Sequence, residues 1–185
     1  MAAISRLRRV YLHWLSSPGN DRLIYRVARW QRARKIVELG VGTGRRTLRM
    51  IEAATEHVTP AEILYTGIDL FEGRAGDAPN GLGLKEAYRR FTATGARVRL
   101  MPGDPYTALA GIANTLSQID LVVISANIDQ AALARAWFYV PRILHEESQV
   151  FLEEIRYGGK TAFRLISLDE VGWLAAKSQP KRRAA

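Results

Sequence analysis

The 185-residue sequence has no cysteine and only three histidines, His13, His57 and His145. The missing thiols exclude disulfides, thiolate metal sites and a cysteine nucleophile, a composition that agrees with a cytoplasmic setting. No apolar run approaches the roughly 20 residues that a membrane-spanning helix needs. A secretory leader is not expected either, because Arg8, Arg9 and His13 interrupt the apolar positions of "MAAISRLRRVYLHWLSS". Acidic residues are scarce at one end. Residues 1–49 hold twelve Lys or Arg against two acids, Asp21 and Glu38, while the remainder holds fifteen bases and sixteen acids. The net charge of +9 therefore belongs to the first quarter of the chain. Arginine forks suit phosphates, so RNA, an acidic lipid surface or an anionic small molecule are candidate partners. A solvated helix face accounts for the arginines equally well.

What is present describes one globular domain. A 48% hydrophobic and 24% charged composition is enough for a full core at this length. Residues 1–176 are expected to form a single domain, with N-terminal helices over 1–33 and a core over 34–176. The tail "KSQPKRRAA" (177–185) lacks apolar periodicity and is expected to be a disordered basic tail. Ile4, Leu7, Val10, Tyr11, Trp14 and Leu15 fall on one helical face, and "SSPGND" breaks that helix before a second one reaching "QRAR". Short apolar strands then alternate with helices. The strands are "KIVEL", "EILYTGIDL", "RVRLMPG", "IDLVVISA" and "SQVFLEEI". Between them lie helical patterns over 44–57, 83–95, 104–117 and 129–144, the third with Pro105 near its first turn. This alternation predicts a mostly parallel sheet covered on both faces. The glycine-rich stretch "EGRAGDAPNGLG" follows the second strand and reads either as a lid over a ligand or as a plain connection.

Gly40, Gly42 and Gly44 give G-x-G-x-G directly after the first strand of the core. A dinucleotide fingerprint needs its third glycine where Arg45 stands, and a phosphate-binding Walker loop needs a Gly-Lys-Ser/Thr ending that is absent. With the acid two residues ahead, Glu38-x-Gly40-x-Gly42-x-Gly44 resembles motif I of the class I S-adenosylmethionine (SAM)-dependent methyltransferases. Asp69 and Leu70 close "TGIDL", Gly103 and Asp104 close "MPGD", and Ser125 closes "IDLVVIS", in the order in which that family places its cofactor contacts. The resemblance covers about residues 34–154. It implies a Rossmann-like three-layer αβα sandwich and SAM as cofactor. Glu38 would approach the methionine ammonium, and Gly40, Val41, Gly42, Thr43 and Gly44 would make room for the cofactor. Asp69 and Leu70 would sit at the ribose, Gly103 and Asp104 at the adenine, and Ser125 near the methyl group. Asp104 also reads as the N-cap of the helix that starts at Pro105.

The reaction end departs from the family. The segment 121–154 is similar to small-molecule O-methyltransferases, whose metal-dependent members end the fourth strand in an aspartate and the fifth in further acids. Here Ser125 takes the aspartate position and "HEES" replaces a glycine turn. Asn127, Asp129, Glu153 and Glu154 assemble oxygens for a hard cation only on a generous reading, so no metal is expected. The Asn/Asp-Pro-Pro-Tyr signature of amide and base-nitrogen methylation is missing. Of the histidines, His13 alone would reach the pocket, if the N-terminal helices cap it. After the fifth strand, "RYGGKTAFRLISLDEVGWLAA" leaves room for one strand and one short helix capped by Asp169, a shortened C-terminus. The expected function is methyl transfer to a small or medium acceptor through an oxygen nucleophile. The alternative is a methyltransferase-like protein that holds SAM or S-adenosylhomocysteine (SAH) without catalysis. RNA methylation steered by the basic N-terminus ranks below both.

Overall fold

The computed structural model describes residues 5–73 and 81–178. Most of the glycine-rich stretch after the second strand, and nearly all of the basic tail, lie outside the described residues. Six strands form one sheet: β1 (Lys35–Leu39), β2 (Leu64–Asp69), β3 (Arg97–Pro102), β4 (Ile119–Ile124), β5 (Leu144–Ile155) and β6 (Thr161–Ile166). Their spatial order is β3-β2-β1-β4-β5-β6. All neighbours run parallel except β5 and β6. The chain leaves β1 toward one edge, then returns to place β4 on its other side. The carboxyl ends of β1 and β4 therefore flank a crevice at the point where the strand order reverses, the usual ligand position in such sheets.

Two layers of helices cover the sheet, because the central strands are apolar on both faces. On one side lie α2 (Asp21–Trp30), α3 (Arg45–Ala54) and α4 (Leu84–Thr92). Ile24, Tyr25, Met50, Ile51 and Phe91 from these helices pack with Ile36, Leu121, Val123 and Phe151 of the strands. On the other side lie α5 (Pro105–Ile112), α6 (Gln130–Ala136), α7 (Val140–Ile143) and α8 (Leu168–Lys177). Leu109, Ile112, Leu133 and Val140 there meet Val37, Leu39, Val122, Ile124 and Val150. Successive strand residues thus supply opposite cores, as the two-residue period requires. Truncating one of these large aliphatic side chains to alanine costs roughly 2–5 kcal/mol.

The first helix, α1 (Arg6–Val10), runs into a single π-type turn, Tyr11–Leu15. The face expected to be apolar and packed is not the one that docks. Leu7, Val10, Trp14 and Leu15 are exposed, while Leu12, His13 and Ser16 are buried. Ion pairs decide the orientation. Arg8 makes two bonds of 2.7 Å to Glu52 of α3, and Arg9 and His13 reach Glu56 just beyond α3 at 2.7 and 2.9 Å. The helix expected over 129–144 divides into α6 and α7, since Pro141 has no N–H with which to continue a helix. The "HEES" segment is part of β5, with the β4–β5 register shifting between Ile119 and Leu121 to absorb it. Ser148 Oγ secures it by donating to the Ile119 carbonyl at 2.8 Å. The C-terminus comprises one antiparallel strand and α8, whose N-cap is Ser167 rather than Asp169.

Candidate functional site

Three glycines shape the turn between β1 and α3. Gly40, Gly42 and Gly44 have φ of 88°, 58° and 71°, backbone that favours glycine. They serve different ends. A Cβ on Gly40 would stand 2.7 Å from Ser125 Cβ and 2.8 Å from Ile128 Cγ2, so this glycine lets the ends of β1 and β4 approach. A Cβ on Gly42 would meet nothing within 4 Å, because that part of the turn faces the open crevice. Gly44 makes room for Leu82 and Phe91. Between them Val41 is buried and Thr43 exposed.

At the β2 side of the crevice, Asp69 Oδ2 accepts the Gly42 N–H at 2.8 Å and Oδ1 accepts that of Phe71 at 3.3 Å. The carboxylate thus ties the glycine turn to the end of β2 and lines a cavity with it. That cavity, about 90 Å3, is bounded by Gly40, Ile68, Asp69, Leu70, Gly103, Asp104, Pro105, Asn127, Ile128 and Asp129. Asp104 caps α5: Oδ1 accepts from the N–H groups of Tyr106 and Thr107 at 2.9 and 3.0 Å, and Oδ2 accepts from Thr107 Oγ1 at 2.6 Å. Burial opposes ionisation of Asp104, and these hydrogen bonds outweigh it, holding its pKa below the ordinary aspartate value.

Glu38 is fully buried. Its Oε1 accepts from Arg46 Nε at 2.8 Å, and its Oε2 accepts the hydroxyls of Thr47 at 2.5 Å and Tyr65 at 2.7 Å. The same guanidinium donates to the Gly40 carbonyl at 3.0 Å and to Glu153 Oε2 at 3.4 Å, and it stands 3.9 Å from Asp21 Oδ1. Burial disfavours the Arg46 cation, but Glu38, Asp21 and Glu153 overcome that and raise its pKa above the ordinary arginine value. Burial likewise pushes the Tyr65 phenol well up, with the Glu38 charge adding to it. A second cavity of about 150 Å3 opens beside this cluster, between Pro18, Asp21, the Gly40–Thr43 turn, Arg45, Arg46, Ser125 and Glu153.

Ser125 is buried at the end of β4, and its hydroxyl donates to Glu153 Oε2 at 3.1 Å. Glu153 also accepts from Asn20 Nδ2 at 3.1 Å and from the Ala126 N–H at 3.3 Å. Burial raises its pKa, yet the hydrogen bond from Thr161, the Arg46 charge and the bonds from Ala126 and Ser125 bring the net value below the usual glutamate range. A third, wider cavity follows, lined by Ser125, Ala126, Asn127, Glu153, Ile155, Gly159 and Thr161. His13 does not reach any of these cavities, because its ring is held on Glu56. Asp129 is spent as the N-cap of α6, and Glu154 faces Arg156 and Arg164. Among the described residues no group of three or more His, Asp or Glu side chains converges as a metal site.

The cavities therefore bring together the glycine turn, Asp69, Leu70, Gly103, Asp104 and Ser125, while Glu38 is fully buried behind the turn and lines none of them. Two further contributors, Asp21 and Arg46, escaped the sequence reading. One signal was available. Asp21 and Glu38 are the only acids in the first 49 residues, and the fold sets both against Arg46.

No protein-family model and no curated protein matches this sequence. Solved structures do resemble its fold. An O-methyltransferase from Bacillus cereus, in complex with SAH, superposes with a TM-score of 0.58 at 16% identity, over 78% of this chain and 60% of that one. An O-methyltransferase from Streptomyces achromogenes involved in tomaymycin synthesis, in complex with SAM, gives 0.55 at 18% identity over 80% and 60%. A methyltransferase from Geobacter sulfurreducens gives 0.50 at 22% identity over 71% and 58%. The present chain thus spans about three fifths of these proteins' lengths. What the sheet order, the glycine turn and these superpositions establish together is the fold: a Rossmann-like sandwich of the class I methyltransferase type.

Proposed function

We propose that the protein is a SAM-dependent methyltransferase acting on a small or medium acceptor through an oxygen nucleophile. The observation that carries this reading is the crevice beside the glycine turn. There Gly40, the Asp69 carboxylate and the Gly103–Asp104 strand end border one cavity. The donor set fits the nucleoside half of the cofactor, since Asp69 offers acceptors for ribose hydroxyls and the carbon-rich side chains of Leu70 and Ile128 offer flat contact to a base. A pyrophosphate would meet carboxylates in the same place, which disfavours a dinucleotide. The likeness to O-methyltransferases holding SAM or SAH supports the same assignment. SAM supplies an activated methyl group on sulfonium. The protein's part is to exclude water and to aim the acceptor from the cavity beyond Ser125, and holding two reactants in line accelerates transfer without an acid or base.

Calorimetric titration of the full chain, stripped of bound ligand, with SAM and SAH tests the cofactor. The expected result is saturable binding of both, and no binding at millimolar ligand would sink the reading. A screen of phenolic and aliphatic hydroxyl acceptors with methyl-labelled SAM tests the reaction. A second reading, a SAM- or SAH-holding protein without turnover, is favoured by the pairing of Ser125 with Glu153 and by the distance of His13 from the crevice. Binding without label transfer to any acceptor would select it. RNA methylation through the basic N-terminus predicts steeply salt-dependent RNA binding that disappears when residues 1–20 are removed.

A further inference from the structure

We propose that Asp21, supplied by α2 of the N-terminal segment, receives the ammonium group at the methionine end of the cofactor, a part the family resemblance gives to Glu38. The proposal rests on the cofactor reading above. Glu38 is fully buried, with its oxygens turned to Arg46, Thr47 and Tyr65, and it does not line the cavity at this end of the crevice. Asp21 does line it, together with Pro18, Gly42, Thr43, Arg46 and Glu153.

The three carboxylates around Arg46 differ in how well they are satisfied. Glu38 accepts three hydrogen bonds, and Glu153 accepts from Asn20, Ser125, Ala126 and Arg46. Asp21 is 4% exposed and accepts one bond, from the Tyr25 hydroxyl to Oδ2 at 3.2 Å. Its Oδ1 accepts none from the described residues, with the Arg46 guanidinium nitrogen 3.9 Å away. A buried carboxylate that lacks donors is costly, and an ammonium carries three of them on a full positive charge. The charged or titratable groups around Asp21 are Tyr25 on α2, Arg46 on α3, Glu38 on β1 and Glu153 on β5, with Arg45 of α3 lining the same cavity. Burial raises the Asp21 pKa against the pull of Arg46 and Tyr25, as befits a carboxyl awaiting a cation. The N-terminal helices are then part of the binding site, which gives α2 a function besides packing.

The test compares SAH with 5′-methylthioadenosine, which keeps the nucleoside and lacks the amino acid. Calorimetry on the full-length Asp21→Asn variant is expected to show SAH binding weakened about ten-fold or more, the worth of one charge-assisted hydrogen bond. Binding of 5′-methylthioadenosine should stay unchanged. Unaltered SAH binding by the variant would overturn the proposal and leave the cofactor reading standing, and so would equal losses for both ligands. Failure of the unaltered protein to bind either ligand would remove the cofactor reading, and the proposal with it. A measurement on the unmodified chain provides a second arm. The Asp21 carboxyl carbon resonance should titrate at lower pH with SAH bound than with 5′-methylthioadenosine bound, and identical titrations would overturn the assignment.

Discussion

Arg46 closes on Glu38 across the β1–α3 turn, with Nε 2.8 Å from Oε1, so an arginine two residues past the last glycine neutralises the acid two residues ahead of the first. Removal of the carboxylate takes the nearest counter-charge from a guanidinium that is 11% exposed, leaving it Glu153 and the Gly40 carbonyl, and takes the acceptor from Thr47 and Tyr65. Glu38→Ala is expected to lose about 3–5 kcal/mol of stability, the range for breaking a buried ion pair. Denaturant melts check this, and a loss under 1 kcal/mol would contradict the described geometry.

The glycine turn predicts two unlike outcomes from one substitution. Gly40→Ala places a Cβ 2.7 Å from Ser125 Cβ and is expected to reduce stability by several kcal/mol or prevent folding. Gly42→Ala meets no atom within 4 Å and suffers only the left-handed backbone penalty, about 1–2 kcal/mol. Thermal melts should rank Gly42→Ala well above Gly40→Ala, while calorimetry should find SAH binding to Gly42→Ala impaired by the methyl group in the crevice.

Asp21 should make stability fall as pH rises. Burial, working against Arg46 and Tyr25, lifts its folded pKa above the ordinary 3.8. Between 3.8 and the raised value the folded state holds a proton that the unfolded state has released, so stability is lost as pH climbs through that window. Asp21→Asn, free of this penalty, is expected to melt at a higher temperature than the parent at pH 7 and to show no such advantage below 3.8. Equal melting temperatures at pH 7 would refute it.

Glu56 has the opposite sign. Burial raises its pKa, but His13, Arg29 and Arg9 outweigh that and hold the value below the ordinary 4.5. Its contribution is therefore present above 4.5 and lost as pH falls through the depressed folded value. Glu56→Gln should flatten the acid limb of a pH–stability curve and speed amide hydrogen exchange in α1 and the turn after it. Exchange unchanged in that segment would show that the ion pairs do not hold it.

The alternation of apolar strands with helices made the sheet and its two cores legible, because period and burial coincide in β1, β4 and their covering helices. The glycine spacing made the crevice legible for a similar reason, since a close strand approach at Gly40 and an open turn at Gly42 both demand the same residue. What escaped was long-range pairing. Arg46 reads as one arginine among many on a helix, and only its position over the end of β1 sets Glu38, Glu153 and Asp21 around it. The docking face of α1 escaped likewise. Its apolar spacing favoured Leu7, Val10 and Trp14, whereas Glu52 and Glu56, more than forty residues away, attracted the arginine-bearing side. Ser167 displaced Asp169 as the cap of α8, its hydroxyl accepting from the Glu170 N–H at 3.1 Å.

One helix touches both ends of the N-terminal segment. The first turn of α3 carries Arg46 beside Asp21, and Glu52 in its last turn carries Arg8, with Glu56 holding Arg9 and His13 shortly beyond. With Asp21 receiving the ammonium as proposed, docking of the segment and filling of the crevice would be linked equilibria, and linkage is reciprocal. Whatever factor a crevice ligand gains from a docked segment, the segment gains in holding its place once the ligand is bound. A polyanion that drew Arg8 and Arg9 off α3 would loosen the ligand by that same factor.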